Sequence, residues 1–450
     1  MSYKLAFTTR HFITFPQYFK KRLMKNVLFF FLAILFTSAI NAQRLSKDEK
    51  KIIEVINKQI PETLRLLEDF VNINGGTFNV EGVRNGGNLL KDEFDKIGFS
   101  TEWIKLPDSI KSAGHLVASR KGKKGKKLLL LAHLDTVFEP DMPSNPFRLL
   151  DDSTATGQGV VDDKGGDVVI VAALQALHSL GLLKDVTITA YLTGDEETGG
   201  QPAVVTRADV IEKAKLHDLA LSFEAGTLNT VCTGRRGADT WNLYVYGVQA
   251  HSSGIFGEKA GYGSIYEATR IIDSFRTALS TEKYLTFNPG LIAGGTTLVD
   301  STDNVRVYGK DNIIASKTIA FGDVRFLGEK QRRDVRVKMK NIVENENLPG
   351  TRAEIVFSDA MPSMEPTEAN QQLLAVLNKV NNDMGLGDVT GGDPMKRGAG
   401  DIAFIADHIT SIDGLGPSGK GSHAPGETIN LKELPVLIQR AAIFIYRLTR

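Results

Sequence analysis

Apolar positions along this chain fall into two rhythms, one of period near 3.6 and one of unbroken or alternating runs. Ser46-Lys47-Asp48-Glu49 has capping-box spacing and opens a helical pattern through Ile52, Ile53, Val55 and Ile56. A second helix is predicted over 82–97, stopped by Gly98. The run 128–132 is apolar throughout, 186–192 and 219–223 are mostly so, and all three read as buried strands. A helix over 164–180, with Val168, Val171 and Ala172 on one face, separates the first two. Strands alternating with helices predict a mostly parallel three-layer α/β sheet, and a last helix over 431–448 closes it. The basic run Lys121-Gly122-Lys123-Lys124-Gly125-Lys126-Lys127 lies between two apolar segments and reads as a solvated hairpin turn.

Between about 237 and 357 the rhythm changes. Trp241, Leu243 and Val245 alternate with polar residues or tyrosines, then a helix carries Ile265, Ile272, Phe275 and Leu279. Strands follow around 291–298 and 318–326, then a helix with Val335, Met339 and Ile342, then a strand ending at Phe357. The order β-α-β-β-α-β is the split βαβ (ferredoxin-like) pattern of an α+β module inserted into the α/β domain. The domains expected are therefore 43–236 and 358–450 for the main domain and 237–357 for the insert.

Composition adds three exclusions. With 54 Lys+Arg against 53 Asp+Glu in 450 residues, the chain has no electrostatic footprint for nucleic acid. A single cysteine, Cys232, rules out a disulfide scaffold and a cysteine-based zinc cluster. The start differs from the rest: Lys20, Lys21, Arg22 and Lys25 precede an apolar run over 27–36 and a small-residue exit ending at Ala42. That is a signal peptide over 1–42, with Met24 as an alternative start and an uncleaved anchor as the competing reading. Its removal leaves a chain of net charge −5, exported to the periplasm or beyond, with no stretch long enough to span a membrane.

Each buried run ends in side chains able to hold a metal: His133-Leu134-Asp135, Asp195-Glu196-Glu197, and Glu224. Two loops, Asp162-Asp163-Lys164-Gly165-Gly166 and Ser422-His423-Ala424-Pro425-Gly426-Glu427, bring more. Open α/β sheets bind ligands at the carboxyl ends of their strands, so these groups should converge. Imidazole with carboxylates suits zinc, and a shared carboxylate accommodates two cations about 3.5–4 Å apart. His133 and Asp135 point to one side of a strand, so Asp135 can accept the second ring N–H of His133 and fix its tautomer. Any one of these acids alone would be read as a solvated turn residue; their joint spacing carries the argument.

The segments His133-Leu134-Asp135-Thr136-Val137, Asp162-Asp163-Lys164-Gly165-Gly166 and Asp195-Glu196-Glu197, in that order, resemble the zinc metallopeptidase family that includes glutamate carboxypeptidase, aminoacylase, acetylornithine deacetylase and succinyl-diaminopimelate desuccinylase. The likeness spans about 50–450 and is nearest to the glutamate-carboxypeptidase-like branch. It implies two Zn2+ per chain, with Co2+ or Mn2+ as substitutes, bridged by Asp162. His133 and Glu224 would complete one ion, Glu197 and His423 the other, and Glu196 would be the general acid/base. It implies a cis peptide at Asp162–Asp163 and an insert that serves as lid and dimerisation domain of a homodimer. His251 would then reach an active site across the dimer, Asn312 would supply an oxyanion donor, Arg325 would hold the substrate carboxylate, and backbone at Gly400 would touch substrate. The bland readings of the insert residues are a strand-end cap for His251, a turn residue for Asn312 and an edge salt bridge for Arg325. Ala315 and Met361 stand where some relatives carry proline and arginine, so a glutamate preference does not follow. His115, His178, His217 and His408 match no motif and read as structural, and Cys232 receives no chemistry.

The expected activity is hydrolysis of a small peptide or N-acyl amino acid at an amide beside a carboxylate. Three other readings compete: a deacylase of the aminoacylase type, a co-catalytic zinc aminopeptidase, and a binding protein on a decayed peptidase scaffold. The insert and Lys164-Gly165-Gly166 argue against the second, and the intact acidic set against the third.

Overall fold

A computed structural model describes residues 45–450 except 302 and 303, so the signal-peptide expectation over 1–42 lies outside the described residues. From Lys47 onward the chain forms one compact unit. Helices α1 (Lys47–Val71) and α2 (Val80–Lys96) lead into β1 (Ser100–Ile104), β2 (His115–Arg120) and β3 (Lys124–His133). Helix α3 (Lys164–Ser179), β4 (Val186–Thr193) and β5 (Leu219–Ser222) follow. The insert contributes β6 (Gly237–Gly247), α4 (Gly263–Leu279), β7 (Thr286–Gly295), β8 (Lys317–Phe326), α5 (Glu329–Glu344) and β9 (Thr351–Met361). The chain then returns through α6 (Glu368–Asp383), β10 (Thr410–Ile412) and α7 (Leu434–Leu448).

The main sheet has the order β1-β2-β4-β3-β5-β10. Its last four strands are parallel, and β1 and β2 form an antiparallel edge. Leu129 and Leu131 of β3 face a cluster with Tyr191, Val210, Ala214, Ile402 and Ile405. By the alternation of a strand, Leu128 and Leu130 face the other layer, where α1, α3 and α7 pack on one another. No helix among the described residues is long and apolar enough to cross a membrane.

Three local expectations need correcting. The basic run is solvated but is no hairpin, because β4 lies between β2 and β3. The Gly122 and Lys124 amides instead donate to Thr187 Oγ1 and the Asp185 carbonyl at the head of β4. Helix α2 starts at Val80, earlier than residue 82, because the Asn79 side chain accepts the Gly82 amide and caps it. Helix α7 starts at Leu434, later than residue 431, because Asn430 Oδ1 takes the Lys432 and Glu433 amides and Pro435 falls in the first turn.

The insert is an all-antiparallel sheet of order β7-β8-β6-β9 under α4 and α5, the split βαβ arrangement. Trp241, Leu243, Phe275, Phe326, Val335 and Met339 form its core. The strand expected around 291–298 is two strands: β7 ends at Gly295, and Thr297–Ser301 pairs with Asn304–Tyr308 as a separate ribbon.

Candidate metal centre

The site is assembled at the carboxyl ends of the parallel strands. β3 delivers His133, the turn after β4 delivers Glu196 and Glu197, and the residue two beyond β5 is Glu224. Asp162 comes from the loop before α3 and His423 from a loop where its backbone is left-handed, with φ 65°. The Asp162–Asp163 peptide is cis.

Asp162 stands in the middle. Its Oδ1 lies 3.2 Å from His133 Nε2 and its Oδ2 lies 3.1 Å from His423 Nε2. On the first side Glu224 Oε1 is 3.6 Å from His133 Nε2; on the second Glu197 Oε2 is 3.2 Å from His423 Nε2. Ligand atoms of His133, Asp162 and Glu197 fall within 4.8 Å of one another, and so do those of His133, Asp163 and Glu224. Asp163 therefore also reaches the first side, beside the Asp162 that the resemblance implies as the bridge.

The donor set suits divalent cations. Imidazole nitrogens and carboxylate oxygens are zinc ligands, and Glu197 Oε1 is buried without a hydrogen-bond partner. Asp163 is buried with both its oxygens unpartnered. Crowding shows in the acidities: burial, with Asp162 adding to it, pushes Glu224 up to about 8, and burial with Glu224 and Asp401 nearby raises Glu196 well above the carboxylate range. His423 is drawn up to about 11 by its bonds to Asp162 and Glu197. Burial opposes a charge on His133, yet Asp135 and Asp162 outweigh it and raise that ring too. The cluster calls for positive charge, which two cations would supply in place of two ring protons.

Asp135 does more than expected. The better-placed acceptor for His133 Nδ1–H is the Asp135 backbone carbonyl at 3.0 Å, whereas its carboxylate Oδ1 is 3.5 Å away. That carboxylate also accepts the backbone amides of Glu196 (3.0 Å) and Glu197 (3.2 Å) and the Thr77 hydroxyl (2.7 Å). It thus orients the acidic turn directly.

Two further residues hold the site from outside the ligand cluster, and no motif in the sequence pointed to either role. Glu427 is buried and accepts the amides of Gly159 (3.1 Å), Val161 (2.7 Å) and Asp162 (2.9 Å), fixing the loop that presents Asp162. Lys164 is fully buried, and its ammonium donates to the carbonyls of Ile73 (2.6 Å) and Phe70 (3.0 Å) at the end of α1. This anchors the start of α3 to that helix's C-terminus, where carbonyls lack further helical partners. Burial brings the Lys164 ammonium down to about 7.

The insert residues stand apart. His251 and Asn312 are exposed neighbours: His251 bridges Ile313, and the Ser252 amide donates to the Asn312 carbonyl. Arg325 is exposed at the end of β8 and pairs with Asp323 at 3.1 Å. Among the described residues no hydrogen bond or ion pair joins these three to the cluster. Gly400 is buried in a loop whose Gly398 and Ala399 carbonyls accept from Arg235 Nη1 at 2.9 and 3.1 Å, while Arg235 Nε pairs with Asp413. His115 is fully buried rather than idle, bonded to the Thr206 carbonyl at 2.9 Å and to the Gly194 amide at 3.3 Å.

A carboxylate–imidazole cluster at the strand ends of a three-layer α/β sheet with a split βαβ insert defines a metallohydrolase. The chain belongs to peptidase family M20/M25/M40, whose sequence profile matches residues 129–447. It is 27% identical to carboxypeptidase G2 of Pseudomonas sp. (strain RS-16) over 426 residues, which cover 92% of this chain and 96% of that protein. It is 25% identical to succinyl-diaminopimelate desuccinylase of Acidiphilium cryptum (strain JF-5) over 363 residues, covering 78% and 90% of the two chains. In fold it resembles the aminopeptidase PepT of Bacillus cereus (TM-score 0.68, 18% identity, 87% of this chain and 99% of that one). A dinuclear metal-binding peptidase of Bacillus subtilis has the same fold (TM-score 0.63, 15% identity, 87% and 99%).

Proposed function

We propose that this chain is a co-catalytic dizinc exopeptidase that removes a C-terminal amino acid by hydrolysing the amide beside its carboxylate. The observation that carries this reading is Asp162, with one carboxylate oxygen toward His133 and the other toward His423. His133 and Glu224 would hold one ion and Glu197 and His423 the other. Bound there, two zinc ions would supply Lewis acidity that acidifies water and polarises a carbonyl.

The chain's own residues do the rest. Glu196 accepts the proton of the attacking water and returns it to the leaving amine, the task of a half-buried carboxyl of raised basicity. Asp135 keeps Glu196 and Glu197 aimed by holding their amides. His251 and Asn312 donate to the carbonyl oxygen as it gains charge, and Arg325 with the Gly400 loop holds the substrate carboxylate. Since His251, Asn312 and Arg325 belong to the insert, 237–357, either closure of that lid or a second copy in a homodimer brings them in. A signal peptide over 1–42 would direct export and then be removed.

The second reading is deacylation of N-acyl amino acids, favoured by the 25% identical desuccinylase. The test has two parts. Elemental analysis of purified protein is expected to return about two zinc ions per chain, as a bridging carboxylate requires. N-blocked dipeptides with free C-termini are then assayed against N-acetyl amino acids. Faster cleavage of the dipeptides supports the carboxypeptidase; preference for the acyl amino acids selects the deacylase; a zinc-loaded chain that cleaves neither sinks both.

A further inference from the structure

The turn that carries Glu196 is held from behind by an arginine that no motif singled out. Arg207 has no exposed surface, and its guanidinium is forked between two acids from distant parts of the chain. Nη1 donates to Asp195 Oδ1 at 2.5 Å and Nε to Asp401 Oδ1 at 2.8 Å. Asp401 Oδ2 in turn accepts the Thr193 hydroxyl at 2.5 Å. The same guanidinium lies against the turn's backbone: a Cβ on Gly200 would come within 2.2 Å of Arg207 Nη1, and Gly200 has φ 54°. On its other side it faces the Phe404 ring, 5.5 Å from the centroid. The Gly194 amide, between Thr193 and Asp195, donates to buried His115. The three residues before Glu196 are thereby fixed one by one, and among the described residues Arg207 pairs with both Asp195 and Asp401.

We infer that Arg207 is a positioning residue for the hydrolytic step, locking the turn after β4 to the Gly400–Asp401 loop so that Glu196 faces the reacting centre and the substrate loop keeps its register with it. The inference rests on the function proposed above. A lysine cannot replace Arg207, because one ammonium on a flexible stem does not span two acids that meet different nitrogens of a planar fork. A shift of about 1 Å in a catalytic group costs on the order of 10²-fold in rate.

The test compares Arg207→Lys with the parent on whichever dipeptide the parent cleaves fastest. The readouts are kcat, KM, zinc per chain and hydrogen exchange of the backbone amides. Expected is a fall in kcat of roughly 10²-fold with KM within about threefold, unchanged zinc, and faster exchange at 194–200 and 399–402 together. A kcat within about threefold of the parent overturns the inference. So does a loss of zinc in proportion to activity, which would make Arg207 a support of the metal cluster. If Arg207→Lys does not fold, Thr193→Val decides: it removes one tie and should lower kcat about tenfold and loosen 194–200, and an unchanged variant overturns the inference. If the parent cleaves nothing in the panel, the function proposed above has failed; the exchange data still decide whether Arg207 couples the two segments.

Discussion

At the scale of single residues, the site is built as much by backbone amides as by side-chain pairs. Asp135 holds two amides of the acidic turn while its carbonyl is the nearer acceptor for the His133 ring, a division that spacing cannot reveal because both acceptors belong to one residue. Glu196→Gln keeps shape and hydrogen bonds but removes the proton acceptor. Turnover should fall by about 10²–10⁴-fold while zinc per chain is unchanged, as read by elemental analysis beside the dipeptide assay. His115 yields a pH prediction. Burial lowers the basicity of its ring, so the folded chain binds the proton later than the unfolded one. Above about pH 6.5 the ring is neutral in both states; below it the unfolded chain takes up the proton first, and stability falls with pH by at most ~1.4 kcal/mol per unit. His115→Gln should therefore be less stable than the parent near pH 7.5, with the gap narrowing by about pH 5.5 in urea midpoints. Unchanged separation of the midpoints would contradict this.

At the scale of elements, the apolar runs announced β3, β4 and β5, and the ends of those runs announced the chemistry. A fully buried strand has to emerge somewhere, and polar residues at its carboxyl end are where it does. What the runs did not announce was neighbour order. β2 and β3 are close in sequence yet separated by β4, since a continuous apolar strand is best buried between two others at the middle of the sheet. Loops carry the remainder. The loop presenting Asp162 has no regular structure of its own and depends on Glu427, some 265 residues away. Glu427→Gln brings an amide N–H₂ against donors that now meet an anion, so zinc affinity should drop about 10–100-fold although no ligand is touched. Competition with a fluorescent chelator measures it, and an unchanged affinity would show that the loop stands without this tie.

For the whole molecule, the cluster gathers like charges that folding alone must hold together, so cations should stabilise the fold. A ligand at 100 times its dissociation constant adds about 2.7 kcal/mol, enough to raise Tm by several degrees. Exhaustive chelation should lower Tm by that amount and added zinc should restore it in a thermal scan; a Tm indifferent to both would argue against cations at this site. Hydrophobic periodicity and turn chemistry, which act locally, determined the α/β main domain, the split βαβ insert and the residue types gathered at the strand ends. Only the tertiary structure decided which oxygen of Asp162 faces which histidine, and that Glu427, Arg207 and Arg235 hold the loops. It also decided that, among the described residues, His251, Asn312 and Arg325 make no hydrogen bond or ion pair with the cluster. The physical reason is that a buried charge must find its partner in three dimensions, and the chain distance to that partner leaves no periodic trace in the sequence.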